Sequence, residues 1–136
     1  MVLSPTQHGE LTVGLMVDGV QYRRSVKGLV ARAFVPGETE IFDTPVLLDG
    51  NRGNLMSTNI VWRPRWFALA YIRQFEGEQP DYYYHGPIQD SDGNLYTYLI
   101  DAAIATGSLA EAVQQSAYND VRVFPTGLTF RYIRAE

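Results

Sequence analysis

Cysteine is absent from the 136 residues, which excludes a disulfide framework, a thiolate zinc site and a cysteine nucleophile, and leaves the redox compartment open. Histidine is nearly absent. His8 and His85 lie far apart and in no ligand spacing such as HxxxH, so each is expected at the surface rather than on a metal. No apolar run approaches the roughly 20 residues needed to span a bilayer. The opening MVLSPTQHGE has neither the basic start nor the apolar core of a secretion signal. No membrane partner is expected, and the chain reads as soluble and intracellular. Internal repeats and low-complexity tracts are missing too.

What is present is an ordinary globular composition, 46% apolar and 19% charged, long enough for one domain or two very small ones. The net charge of −4 is unevenly placed. Residues 1–74 hold eight bases against six acids, and residues 75–136 hold three against nine. Ten of the eleven bases are arginine, which favours bidentate contacts to phosphate or carboxylate or stacking on aromatic faces; the plainer reading is that they solvate the surface.

Along the chain, LTVGLMV and VQYRRSV flank Asp18-Gly19 and predict a β-hairpin. Leu29, Val30, Ala33 and Phe34 fall at helical spacing before Pro36-Gly37, predicting one short buried helix. Residues 41–48 read as a strand, Asp49-Gly50-Asn51 as a turn and 54–60 as a single helical turn. In RPRWFALAYIRQF, Phe67, Tyr71 and Phe75 share a face, and Trp66, Leu69, Ala70 and Ile72 broaden the band, so most of this helix is expected to be buried. The acidic, proline-bearing stretch 76–87 marks a boundary between residues 1–76 and 77–136. Beyond it come a hairpin around Asp92-Gly93, a helix over 99–106 broken by Gly107, and a second helix to about Ala117. Ser108 and Glu111 predict a capping box for that second helix. A closing hairpin turns at Pro125-Thr126-Gly127.

Two short helices joined by a tight turn make a helix-turn-helix pattern. In a DNA reader Gln114, Gln115 and Ser116 of the second helix can address base edges, with Asn119 just beyond. Yet this helix, LAEAVQQSA, carries no base, and phosphate attraction supplies most non-specific affinity. An αα-hairpin that packs or binds protein fits the same residues. Tyr82, Tyr83 and Tyr84 can stack on bases but more simply pack the boundary segment down, and Trp62 reads as core.

The stretch TPVLLDGNRGNLMSTNIVW, residues 44–62, has the grammar of a nucleotide-cutting site with an aliphatic centre. Val26-Lys27-Gly28-Leu29-Val30-Ala31-Arg32-Ala33-Phe34, then Val46-Leu47-Leu48-Asp49-Gly50-Asn51-Arg52-Gly53-Asn54-Leu55, then Thr58-Asn59-Ile60-Val61-Trp62 resemble, in order and spacing, the motifs of intron-encoded HNH homing endonucleases of phages. Asp92-Gly93-Asn94-Leu95-Tyr96, Ala102-Ala103 and Gly127-Leu128-Thr129-Phe130-Arg131-Tyr132 resemble the C-terminal helix-turn-helix module of the same enzymes. The resemblance implies an α+β fold: a degenerate ββα-metal (HNH-like) core plus a small β-hairpin and helix-turn-helix module.

That family uses a His in the first helix, an Asp metal ligand and a general-base His on the central strand, and an Asn ligand past the Trp. Here those places hold Lys27, Val46, Leu47 and Ala68, which supply neither cation ligands nor a base. No nuclease activity, metal or cofactor is expected. The resemblance leaves two functions. One is double-stranded DNA binding retained after cutting was lost, through Arg23, Arg24, Lys27, Arg32, Arg52, Arg63 and Arg65, with Gln114 and Gln115. The other is a virion or host-interaction protein that uses the fold as a scaffold for a phage or host protein. Either places the chain in the host cytoplasm during phage infection or in the virion.

Overall fold

The computed structural model describes residues 3–5 and 11–133, which form two compact units dividing between Leu69 and Ala70. In the first, β1 (Leu3–Pro5), β2 (Leu11–Val17) and β3 (Val20–Ser25) make an antiparallel sheet. The β2–β3 hairpin turns at Asp18 (φ 50°) and Gly19 (φ 78°), the left-handed pair that a two-residue turn needs and that Asp-Gly supplies at little cost. Ser25 ends β3 and starts α1 (Val26–Phe34), its hydroxyl accepting the Gly28 amide at 3.1 Å, which satisfies one of the orphan donors of the first turn.

A second hairpin follows. β4 (Thr44–Leu47) pairs antiparallel with β5 (Ile60–Arg63), Val46 opposite Val61 and Leu47 opposite Ile60. The strand begins three residues later than its sequence suggests. Residues 39–42 instead close a turn in which Thr39 Oγ1 accepts the Phe42 amide at 2.8 Å. The hairpin leads into α2 (Arg65–Arg73), completing a ββα arrangement. Ala31, Leu47, Ile60 and Trp62 form the small core of this unit, with Val30, Val35, Phe42 and Leu55 packed against it.

Helices α1 and α2 are both less buried than their apolar residues suggest. In α1 only Ala31 is buried, and Phe34 is 71% exposed. In α2 the buried stripe is Phe67, Ala68 and Tyr71, whereas Trp66, Leu69 and Ile72 are exposed. A nine-residue helix covered on one side buries the stripe recurring every three to four residues and leaves the flanks in water.

In the second unit β6 (Ile88–Asp90) lies between β7 (Leu95–Tyr96) and β8 (Phe130–Tyr132). The core joins Ile88, Leu99, Val113, Val123 and Phe130, contributed by that sheet, by α3 (Leu99–Thr106), by α4 (Ala110–Asn119) and by the segment after it. Tyr83, in a short 3-10 helix at Asp81–Tyr84, is buried in the same core, while Tyr84 and His85 are exposed. His8 lies outside the described residues.

Two sequence expectations fail here for identifiable reasons. Ser108 does not cap α4: it is fully buried, its hydroxyl paired with Thr106 Oγ1 at 2.9 Å. The helix starts later, and Gln74 Oε1 accepts the Ala110 amide at 2.8 Å, so the cap comes from 36 residues away. The closing hairpin shrinks to one bridge, Val123 with Leu128, because Phe130–Tyr132 takes β6 as its partner instead, Phe130 opposite Asp90.

Candidate nucleic-acid interface

The loop joining β4 to β5 is organised around Asp49. Its Oδ1 accepts the Asn51 amide at 2.8 Å and Asn59 Nδ2 at 2.9 Å, and its Oδ2 accepts Asn54 Nδ2 at 2.9 Å. Asn59, 9% exposed, returns the contact: its Oδ1 accepts the Asp49 amide at 3.2 Å, and Nδ2 also reaches the Asn54 carbonyl at 3.0 Å. Asn51 Oδ1 accepts the Gly53 amide at 2.9 Å. Burial alone raises the Asp49 pKa. Hydrogen bonds from Asn54, the Asn51 amide and Asn59 outweigh it and hold the carboxyl below its ordinary value, because each favours the charged form. Sequence reasoning confined Asp49 and Asn51 to their own turn. The reach across to Asn59, ten residues on, has no local signal beyond an Asn at the foot of the next strand.

The positions at which the resemblance expects polar chemistry are apolar and covered. Val46 is 1% exposed, Leu47 8% and Ala68 3%. Leu47 belongs to the core with Ala31, Ile60 and Trp62. Trp62 donates its indole N–H to the Val35 carbonyl at 2.9 Å. Lys27, where the family has a histidine, is half-buried in the first turn of α1. Among the described residues no three of His, Cys, Asp and Glu converge, and the Asp49 carboxylate is engaged by donors of its own loop. These residues do not fit the divalent cation that the resemblance implies, since a hard cation needs several oxygen ligands.

Of the proposed DNA-contacting bases, Arg52 at the loop and Arg65 at the start of α2 are exposed. Arg63 is half-buried, its guanidinium donating to the Trp62 carbonyl at 2.8 Å and lying 5.9 Å from the Phe67 ring centroid. Arg32 is exposed and stands 4.0 Å from the Glu38 carboxylate, a solvent-screened pair of small energy. The side chains of Arg23 and Arg24 lie outside the described residues; their backbones pair with Gly14 and Val13. Gln114 and Gln115 belong to the second unit, half-buried and exposed respectively. Ser116, a candidate for base contact, is instead 1% exposed and accepts the Phe130 amide at 3.0 Å. It fastens α4 to β8 and is withdrawn from any groove.

The second unit repeats the carboxylate device. Asp90, 4% exposed, accepts the Asp92 amide at 2.9 Å, the Asn94 amide at 3.0 Å and the Tyr96 hydroxyl at 2.9 Å. Burial and the bond to Asp90 push Tyr96 up to about 12. An open hollow of about 310 Å³ borders Asp90, Gln89, Asp120 and Arg131, but the Asp90 carboxylate is spent on its own turn and Arg131 on Gln89 at 3.0 Å.

No family model matches the chain, and no curated protein matches it. A solved structure does. It is described as DNA binding and cleavage by the HNH homing endonuclease I-HmuI, and the match spans 100% of this chain and 83% of that one, with a TM-score of 0.50 and 22% identity. The chain has an HNH-like fold. At this identity the likeness carries the architecture alone. The HNH-like assignment agrees with the ββα order of β4, β5 and α2 and with the α+β reading of the sequence.

Proposed function

We propose that this HNH-like protein binds double-stranded DNA and does not cut it. The observation that supports the loss of cutting is the burial of Val46, Leu47 and Ala68 where the resemblance places a metal ligand, a general base and a second ligand. Binding is supported by the homing endonuclease of similar fold, itself described as binding and cleaving DNA, and by the exposed Arg52 and Arg65 with Arg63 between them in the chain. Arginine forks match phosphate geometry.

The test is fluorescence anisotropy on a random-sequence duplex at about 50 and 200 mM salt, the range over which phosphate contacts reveal themselves. Expected is binding that collapses at the higher salt. Arg63→Ala with Arg65→Ala should lower the slope of log K on log salt by roughly 0.9 for each phosphate no longer neutralised. Supercoiled plasmid incubated with magnesium or manganese should stay uncut. Nicking would overturn the loss of cutting, and absence of binding at both salts would overturn the DNA reading.

One feature favours a second reading, a protein-binding scaffold in a virion or on a host factor. Residues 70–136 hold nine acids against four bases, and the exposed side of α4 presents Glu111 and Tyr118, a poor surface for phosphate and a serviceable one for protein. A complex stable at high salt, with no DNA retained, would support this reading.

A further inference from the structure

We infer that Asp49 and Asn59 are positioning residues for DNA, holding the β4–β5 loop in the conformation that offers Arg52 to a phosphate. The inference rests on the DNA-binding reading and goes beyond it by dividing the loop into a residue that touches DNA and residues that aim it.

Twelve residues separate Leu47 from Ile60, a length at which a connection with little regular structure is usually functional or loose. This one is closed from both ends. Leu48 donates to the Asn59 carbonyl at 2.7 Å, Gly50 to the Leu47 carbonyl at 3.1 Å and Asn54 to the Asn51 carbonyl at 3.0 Å. Arg52 stands between two residues whose amides are taken, Asn51 by Asp49 and Gly53 by Asn51. Its own side chain is exposed, and among the described residues it has no ion pair or hydrogen bond. The backbone is therefore fixed and the guanidinium free, which lowers the ordering cost of contact.

The electrostatics give the inference a sign. A carboxylate near an arginine that meets phosphate works against binding through its charge. Asp49 nonetheless accepts three donors over two oxygens. Asparagine, with one oxygen and an amino group that would face other donors, cannot repeat that. Removing the charge by Asp49→Asn thus sets two effects in opposition: less repulsion, which tightens binding, and a loosened loop, which weakens it.

The experiment is the salt titration of wild type, Asp49→Asn, Arg52→Ala and the double variant, each confirmed folded by circular dichroism. Asp49→Asn is expected to weaken binding and to lower the salt slope by roughly 0.9, as Arg52→Ala does. The double variant should lose no more than Arg52→Ala alone, the signature of residues acting as one. Asn54→Ala removes one carboxylate bond without changing charge; it should weaken binding in the same direction, and it decides the matter if Asp49→Asn does not fold. Tighter or unchanged binding by Asp49→Asn, or losses that add, would overturn the positioning role while wild-type binding stands. A wild type that binds no duplex at about 50 mM salt removes the DNA reading and this inference with it.

Discussion

Asp90 and Asp49 put a carboxylate where a β-turn needs an acceptor for several donors at once, and this gives the fold an acid sensitivity. For Asp90, burial raises the pKa, but the side-chain bonds from Asn94 and Tyr96 and the amides of Asn94 and Asp92 bring it below the ordinary 3.8. A depressed pKa means that the stabilisation is fully present above the unfolded value and is lost as pH falls through the folded one. The melting temperature should therefore hold from neutral pH down to about 4 and fall below it. Asp90→Asn should lower it at pH 7 and flatten the acid limb; circular dichroism melts between pH 7 and 3 check both. An acid limb unchanged by the substitution would show that Asp90 does not set it. That each acid would serve its own turn is legible in Asp-Gly and Asp-x-Asp-Gly-Asn. That Asn59 and Tyr96 complete the two networks is not, because those partners arrive by strand pairing.

The elements were legible to the extent that their signals are local. Asp18-Gly19, Asp92-Gly93, Gly107 and the helical spacing of Phe67 and Tyr71 each act within a few residues, and the hairpins and helices they announce are present. What failed was what the rest of the unit decides. Gln74, not Ser108, meets the first turn of α4, and β8 joins β6 rather than closing on its own hairpin. Gln74→Ala should cost about 1 kcal/mol through loss of the cap, with the extrapolated urea stability as readout, whereas Glu111→Ala, the expected capping-box partner, should cost less. A tighter constraint lies at Gly86, where an added Cβ would collide with the Thr97 carbonyl. The neighbouring His85 carbonyl accepts the Leu99 amide at 2.8 Å, so backbone meets backbone at the entry to α3. Gly86→Ala should cost about 1–3 kcal/mol, and a urea midpoint equal to wild type would refute the close approach.

For the whole molecule, the charge segregation visible in the sequence becomes a division of labour under the DNA reading: residues 1–69 hold seven bases against six acids, and residues 70–136 four against nine. Neutralising Glu111 and Asp120 (Glu111→Gln, Asp120→Asn) should tighten duplex binding at about 50 mM salt and have little effect near 200 mM, where screening shortens the reach of distant charge. Asn tolerates the left-handed backbone at Asp120 (φ 55°), so stability should change little. An effect of equal size at both salts would show that screened charge is not its cause. The fold survives this distribution of charge because its cores are aliphatic and aromatic. If cutting was lost as proposed, the burial of Val46, Leu47 and Ala68 acts as a ratchet on descent. An Asp, a His or an Asn introduced singly at any of the three would be buried without partners, at a cost of about 1–3 kcal/mol or more, a sizeable share of the roughly 5–15 kcal/mol that holds a small domain together. Under the proposed loss of cutting, a lineage that has crossed to this side has no neutral single step back to a cutting enzyme. Selection is left free to refine what the surface binds.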